Sequence, residues 1–148
     1  MSDAQSRFAY VTYIRTTPEK LWAALTQGAF TKQYWFGAEP ISTWESGADW
    51  RLQLQDGRCA DTGSIIEADP PRRLGIKWLC HMRADGTAEG YSRCAMELEP
   101  DGEVVKLTIT HEIDRPDSPF IHEGIANGWP KILSNLKSLL ETGAIAAA

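Results

Sequence analysis

Histidine, cysteine and acidic side chains are the groups in this sequence that could do chemistry, and their spacing limits what they could do. The histidines are His81, His111 and His122, and no two of them have the H-x-x-x-H spacing that places two ligands on one helix face for zinc. The sequence also has no C-x-x-C pair, no G-x-S-x-G nucleophile elbow and no glycine-rich phosphate loop. We therefore predict no metal site and no cofactor.

His111 is the polar residue with the most informative position. In "EVVKLTITHEI" it has the same parity as Leu107 and Ile109, so it should face the concave side of a sheet. One interpretation is a histidine at the end of a strand whose hydrogen bonds are satisfied by backbone or water. The other is a polar group in a ligand pocket, where it orients a ligand or acts as a general base.

The other candidate groups have structural interpretations. Cys94 is predicted to point inward beside Met96 as a small core residue, because a cysteine nucleophile needs an exposed thiolate and a positioned base. Several charged residues of the central region are expected to be solvated on an outer sheet face, namely Glu67, Glu97, Glu112, Arg72 and Arg73.

Length and charge restrict the class of protein. The 148 residues suit a single domain, residues 1–148 with a core of about 8–143. The net charge of −5 and the lack of a basic run oppose nucleic-acid binding. No segment has the apolar core of a signal peptide or the length of a membrane span. The cysteines have no disulfide-framework spacing, which indicates reduced thiols and a cytoplasmic protein.

Alternating apolar residues predict strands through the middle of the chain. "RFAYVTYIR" reads as the first strand, and "DWRLQLQ", "GSIIEAD", "RLGIKWLC", "SRCAMELE" and "EVVKLTITHEI" as later ones. Asp56-Gly57 and Asp101-Gly102 are typical of hairpin turns. The segment "ADGTAEG" is predicted to be a loop.

Helices are predicted at both ends of this strand region. Thr17 and Pro18 are typical of a helix start, and "GAFTKQYWF" predicts a second short helix. A long C-terminal helix should begin at Ser118-Pro119 and carry a continuous apolar stripe. Because Pro130 removes a backbone donor, we expect a kink or short break near residues 127–130. The fold class is therefore α+β: a curved antiparallel sheet of about six or seven strands wrapped around the last helix.

Three segments in this order resemble a known family: "TTPEKLWAALTQGAFTKQYWFG", "EADPPRRLGIKW" and "NGWPKILSNLKSLLETG". They are similar to the SRPBCC (START-like) superfamily, in the branch named after the activator of heat-shock protein 90 ATPase. The resemblance implies a helix-grip fold, often with a cavity between sheet and helix. It also implies a choice of functions, since members bind lipids, polyketides or other apolar molecules, and some are cyclases or hydrolases.

The aromatic residues predict where a cavity would lie. Gly128, Trp129 and Pro130 should lift one end of the last helix from the sheet and leave a pocket under its N-terminal half. The predicted ligand-binding residues are Tyr34, Trp35, Phe36, Trp50, Trp78, Met96, His111 and Trp129. The leading hypothesis is a binding protein for an apolar or aromatic small molecule, with a homodimer possible. The alternatives are an enzyme that uses His111 and a chaperone-associated interaction protein.

Overall fold

A seven-stranded antiparallel sheet is the main feature of the computed structural model, which describes residues 4–146. The strand order is β1-β7-β6-β5-β4-β3-β2. The strands are β1 (Ser6–Ile14), β2 (Glu39–Ser42), β3 (Asp49–Gln53), β4 (Cys59–Asp69), β5 (Arg73–Cys80), β6 (Ser92–Asp101) and β7 (Val104–Ile113). The helices are α1 (Pro18–Thr26), α2 (Gly28–Tyr34), α3 (Ala84–Glu89) and α4 (Ala126–Thr142), with a π-helical turn at Phe120–Ile125.

The core lies between the concave face of the sheet and the C-terminal helix. Side chains alternate along β6 and β7, so that every second residue is buried, including Met96 and Ile109. From the helix, Trp129, Leu133 and Leu136 pack into this face and are almost completely buried. This arrangement confirms the predicted α+β helix-grip fold.

The two short helices after β1 close one end of the molecule. The Thr17 hydroxyl accepts a hydrogen bond from the backbone N–H of Lys20, and Pro18 occupies the first turn of α1, as predicted. The Tyr34 hydroxyl at the end of α2 donates to the carbonyl of Ala24 at 2.7 Å, which ties α2 to α1. None of the helices in residues 4–146 combines the length and the apolarity needed to cross a membrane.

Charged residues pair across the strands on the outer face of the sheet. Arg73 donates to Glu67 at 3.0 Å and to Glu97 at 2.8 Å, and Arg93 contacts Glu112 and Asp114. The side chains are partly exposed, as predicted for Glu67, Glu97 and Glu112, so each pair contributes little to stability.

The segment predicted to be a loop at residues 84–90 is instead α3, and that prediction was wrong. The helix contains a glycine and an aspartate, which have weak helix propensity, but it packs against its neighbours. Gly86 is buried so closely that an added Cβ would lie 2.7 Å from Cys80 Cβ and 3.2 Å from the Phe120 ring. The Thr87 hydroxyl also donates to the carbonyl of Cys80 at 2.9 Å. Tertiary contacts, rather than local sequence, stabilise this turn of helix.

A short break near residues 127–130, one of the two outcomes expected of Pro130, does not occur. Helix α4 continues through Pro130, and the irregularity lies one turn earlier, at Phe120–Ile125. There the N–H of Ala126 donates to the carbonyl of Ile121, an i→i−5 bond that widens the turn. The backbone register therefore changes ahead of the proline.

Candidate functional site: a tryptophan-walled pocket

A pocket of about 290 Å³ lies between the sheet and the N-terminal half of the helical segment, where the sequence predicted one. From the helical side it is lined by Phe120, Gly124, Ile125, Gly128, Trp129 and Ile132. From the sheet and the adjoining loops it is lined by Leu52, Leu54, Ala60, Asp61, Trp78, Cys80, Met82, Arg83, Trp35, Phe36 and Ala38. The lining is mainly apolar, as is usual for small-molecule sites.

Three tryptophans from different elements form one wall of the pocket. The ring of Trp35, which follows α2, lies 5.3 Å from that of Trp129 on α4 and 6.3 Å from that of Trp78 on β5. The rings of Trp78 and Trp129 are 5.9 Å apart and nearly perpendicular. These separations are typical of favourable aromatic pairs, so the wall is held rigid by its own contacts.

A glycine in β4, the strand between β3 and β5, allows this wall to form. Gly63 pairs with Trp50 on one side and with Trp78 on the other, and an added Cβ would lie 1.7 Å from the Lys77 carbonyl oxygen. Because Gly63 has no side chain, the rings of Trp50 and Trp78 meet across it at 4.5 Å. Trp50 thereby supports Trp78 from behind, although its own buried indole N–H has no hydrogen-bond partner among the described residues.

At a β-bulge in β4, two successive residues face the pocket, and one of them is a carboxylate. Leu52 pairs with Asp61, and the next residue of β3, Gln53, pairs with Cys59. Ala60 therefore has no pairing partner in β3. A bulge interrupts the usual alternation of side chains. Both Ala60 and Asp61 therefore line the pocket, with 5% and 8% of their surfaces exposed.

Asp61 is the buried acidic group of the site. The indole N–H of Trp78 donates to Asp61 Oδ1 at 2.8 Å. Burial raises the pKa of Asp61 to about 6, an effect that the hydrogen bonds from Trp78 and Cys80 and the charge of His81 only partly offset. The carboxylate is thus ionised near neutral pH, at a cost in stability.

The two remaining polar lining residues are constrained by their surroundings. Burial raises the pKa of the Cys80 thiol, which favours the protonated and unreactive form. The guanidinium of Arg83 is held by Asp85, with Nε 2.8 Å from Oδ1 and Nη2 2.7 Å from Oδ2. In this bidentate pair the charge of Arg83 is already matched.

His111 lies behind the wall, completely buried, with both ring nitrogens engaged. The indole N–H of Trp129 can only donate, so Nδ1 of His111 accepts its hydrogen bond at 3.3 Å. The neutral ring then carries its proton on Nε2 and donates to Ser92 Oγ at 2.7 Å, and the serine hydroxyl donates to the Trp78 carbonyl. Burial lowers the pKa of His111 to about 3, which keeps it neutral.

The structure brings four of the eight predicted binding residues to the pocket: Trp35, Phe36, Trp78 and Trp129. The other four, Tyr34, Trp50, Met96 and His111, lie in the core around it. Sequence reasoning missed Asp61, Cys80 and Arg83. The parity of Asp61, Gly63 and Ile65 could have found the first of these, because Ile65 is plainly inward-facing. That these residues bind a ligand stays a prediction.

The sequence matches a known protein family over most of its length. The model of the family described as "Activator of Hsp90 ATPase homolog 1-like protein" matches residues 15–141. The chain belongs to this family. No curated protein is a significant match to the sequence. The match covers every strand except β1, and it covers the whole pocket lining.

Solved structures of several relatives of this family share the fold. A Mesorhizobium loti protein aligns with a TM-score of 0.76 and 23% identity, covering 92% of this chain and 97% of that one. The Aha1 dimer from Colwellia psychrerythraea aligns with a TM-score of 0.73 and 17% identity, covering 93% of this chain and 98% of that one. An HSP90 activator from Plasmodium falciparum aligns with a TM-score of 0.70 and 22% identity, covering 91% of this chain and 96% of that one. At these identities the likeness shows the fold alone.

Proposed function

We propose that this protein binds an apolar or aromatic small molecule in the pocket between the sheet and α4. The observation that carries the proposal is the wall of Trp35, Trp78 and Trp129, whose buried rings border a cavity that they do not fill. Three large side chains pack at a place in the sheet–helix interface where α4 leaves space. Contact with these rings would remove apolar surface of the ligand from water.

The dimensions of the pocket restrict the ligand. A volume of about 290 Å³ is at the lower end of the range for small-molecule sites, so the ligand is compact, with about two or three rings. The mouth is bordered by Phe36, which is 57% exposed, and by Met82, which is 49% exposed. These side chains would contact the outer part of the ligand and exclude water from the inner part.

The enzymatic alternative is less well supported by this geometry. A general base must reach its substrate with a free lone pair. His111 does not line the pocket, and its accepting nitrogen is occupied by the indole of Trp129. Its arrangement favours a positioning role, in which it fixes the orientation of the Trp129 ring.

The binding proposal is tested by titrating the native protein with the neutral fluorophore N-phenyl-1-naphthylamine. We expect saturable binding with quenching of tryptophan emission, because the probe would lie against the tryptophan wall. Phe36→Ala should weaken binding several-fold. Tyr91→Ala is the matched control, since it removes an equally exposed aromatic ring outside this pocket. Absence of saturable binding, or equal effects of the two variants, would contradict the proposal.

Three further proposals concern partners and location. The solved Aha1 dimer supports a homodimer, which light scattering after gel filtration would test. The family description supports a chaperone-associated role, for which the chain should change the ATPase rate of its host's heat-shock protein 90. A cytoplasmic location is supported by Cys59, Cys80 and Cys94, which are free thiols.

A further inference from the structure

The pocket has an unbalanced charge. Asp61 and Arg83 are the charged residues of its lining, but only Arg83 has a partner of opposite charge, in Asp85. No ion pair of the described residues includes Asp61, whose hydrogen-bond partners are the Trp78 indole and the Cys80 thiol. A carboxylate can accept about four hydrogen bonds, so acceptor capacity remains on the pocket side.

This unpaired carboxylate lies beside aromatic rings. Trp78, which donates to Asp61, is also part of the tryptophan wall with Trp35 and Trp129. A positive charge in the pocket would be attracted both by the carboxylate and by the π-electrons of the rings. It would also compensate the desolvation that burial imposes on the carboxylate.

Resting on the proposed binding function, we infer that the ligand of this pocket is a compact aromatic or apolar amine, whose protonated nitrogen pairs with the carboxylate of Asp61. A neutral alcohol of the same shape would donate one hydrogen bond to Asp61 but leave its charge unbalanced. A carboxylate ligand would be repelled, because the guanidinium that could have received it is already paired with Asp85. The expected order of affinity is amine, then alcohol, then acid.

Binding of the amine should weaken in acid. Burial gives Asp61 a pKa of about 6, so the carboxylate is protonated, and its attraction for a cation lost, as the pH falls through that value. The titratable or charged neighbours are Cys80 at the end of β5 and His81 and Arg83, which follow it. From the helical side the lining residues are uncharged, and Lys131 lies over the Phe36 ring at 5.7 Å, outside the lining.

Three probes that share the naphthalene ring system test the inference: 1-naphthylmethylamine, 1-naphthalenemethanol and the carboxylate of 1-naphthylacetic acid. Their affinities for the native protein and for Asp61→Asn are measured by calorimetric titration. Asparagine keeps the shape and an acceptor for the Trp78 indole, but it removes the charge. Asp101→Asn, at an exposed position in the β6–β7 turn, is the control for the same change of net charge.

The native protein should bind the amine at least about tenfold more tightly than the alcohol, and Asp61→Asn should remove most of that preference. Asp101→Asn should behave as the native protein, and unchanged affinity of Asp61→Asn for the alcohol shows that its pocket is intact. Equal affinities of amine and alcohol, or a preference that survives Asp61→Asn, would overturn the inference alone. Failure of all three probes to bind would instead contradict the proposed binding function.

Discussion

Asp61 lines the pocket, but its ionised side chain destabilises the fold because it is buried. Its carboxyl group is buried among apolar side chains, and its pKa is raised from 3.8 to about 6. A raised acidic pKa means that the folded state binds the proton more tightly than the unfolded state does. The native protein is therefore relatively more stable below pH 3.8 and loses that contribution as the pH rises through about 6.

Replacing this carboxyl group should reveal the penalty. Two units of pKa correspond to about 3 kcal/mol at most. The free energy of unfolding of Asp61→Asn minus that of the native protein should therefore rise by up to this amount between about pH 4 and pH 7. Urea denaturation of both proteins at the two pH values measures the change. A difference between the proteins that does not depend on pH would show that Asp61 is not ionised in the pocket.

His111 is the residue whose chemical state the hydrogen-bond network determines. With Trp129 donating to Nδ1, the ring should be the neutral Nε2–H form and should not titrate between about pH 5 and 8. Nitrogen-15 NMR of the imidazole rings measures this directly, with His111→Gln to assign the signal. A titration near the usual value, about 6.5, would contradict the network and reopen the general-base role.

At the scale of secondary-structure elements, close packing explains what propensity does not. Helix α3 exists because Gly86 fits against Cys80 and Phe120, whereas Gly128 of α4 has nothing within 4 Å of where a Cβ would lie. Gly86→Ala should therefore destabilise the protein by about 1–3 kcal/mol through overpacking. Gly128→Ala should stabilise it by about 0.5–1 kcal/mol, since alanine is the better helix former. Chemical denaturation measures both.

The two substitutions are identical in chemistry, so each controls for the other. A similar effect of both would mean that the packing of α3 against β5 is looser than the structure shows.

The same contrast explains which elements the sequence could predict. Strands such as β6 and β7 follow from alternation, because one face is buried along the whole of β7 and from Ser92 to Leu98 of β6. Helix α4 follows from its apolar stripe. The α3 turn and the π-helical turn do not follow, because contacts with residues distant in sequence determine them. Asp61 has the parity of the inward-facing Ile65 and could have been predicted, whereas Ala60 could not, because the bulge puts two successive residues on one face.

At the scale of the whole molecule, the sheet and α4 are in tight contact at one end and separated at the other. Leu133 and Leu136 fill the interface in the C-terminal half of the helical segment 120–142, while Trp129 and Ile125 border the cavity in its N-terminal half. The resemblance to the family predicted the helix-grip fold and a possible cavity. Only the positions of the side chains show that half of the predicted binding residues support the pocket instead of lining it.

The most direct test of the central claim is to follow the indole N–H signals of the protein by NMR during titration with N-phenyl-1-naphthylamine. The signals of Trp35, Trp78 and Trp129 should shift together and saturate, because these rings line the pocket. The signals of Trp22 and Trp44, which lie outside it, should stay in place. Unchanged signals from the three wall residues, or shifts confined to Trp22 and Trp44, would contradict the claim that the pocket under α4 is a binding site.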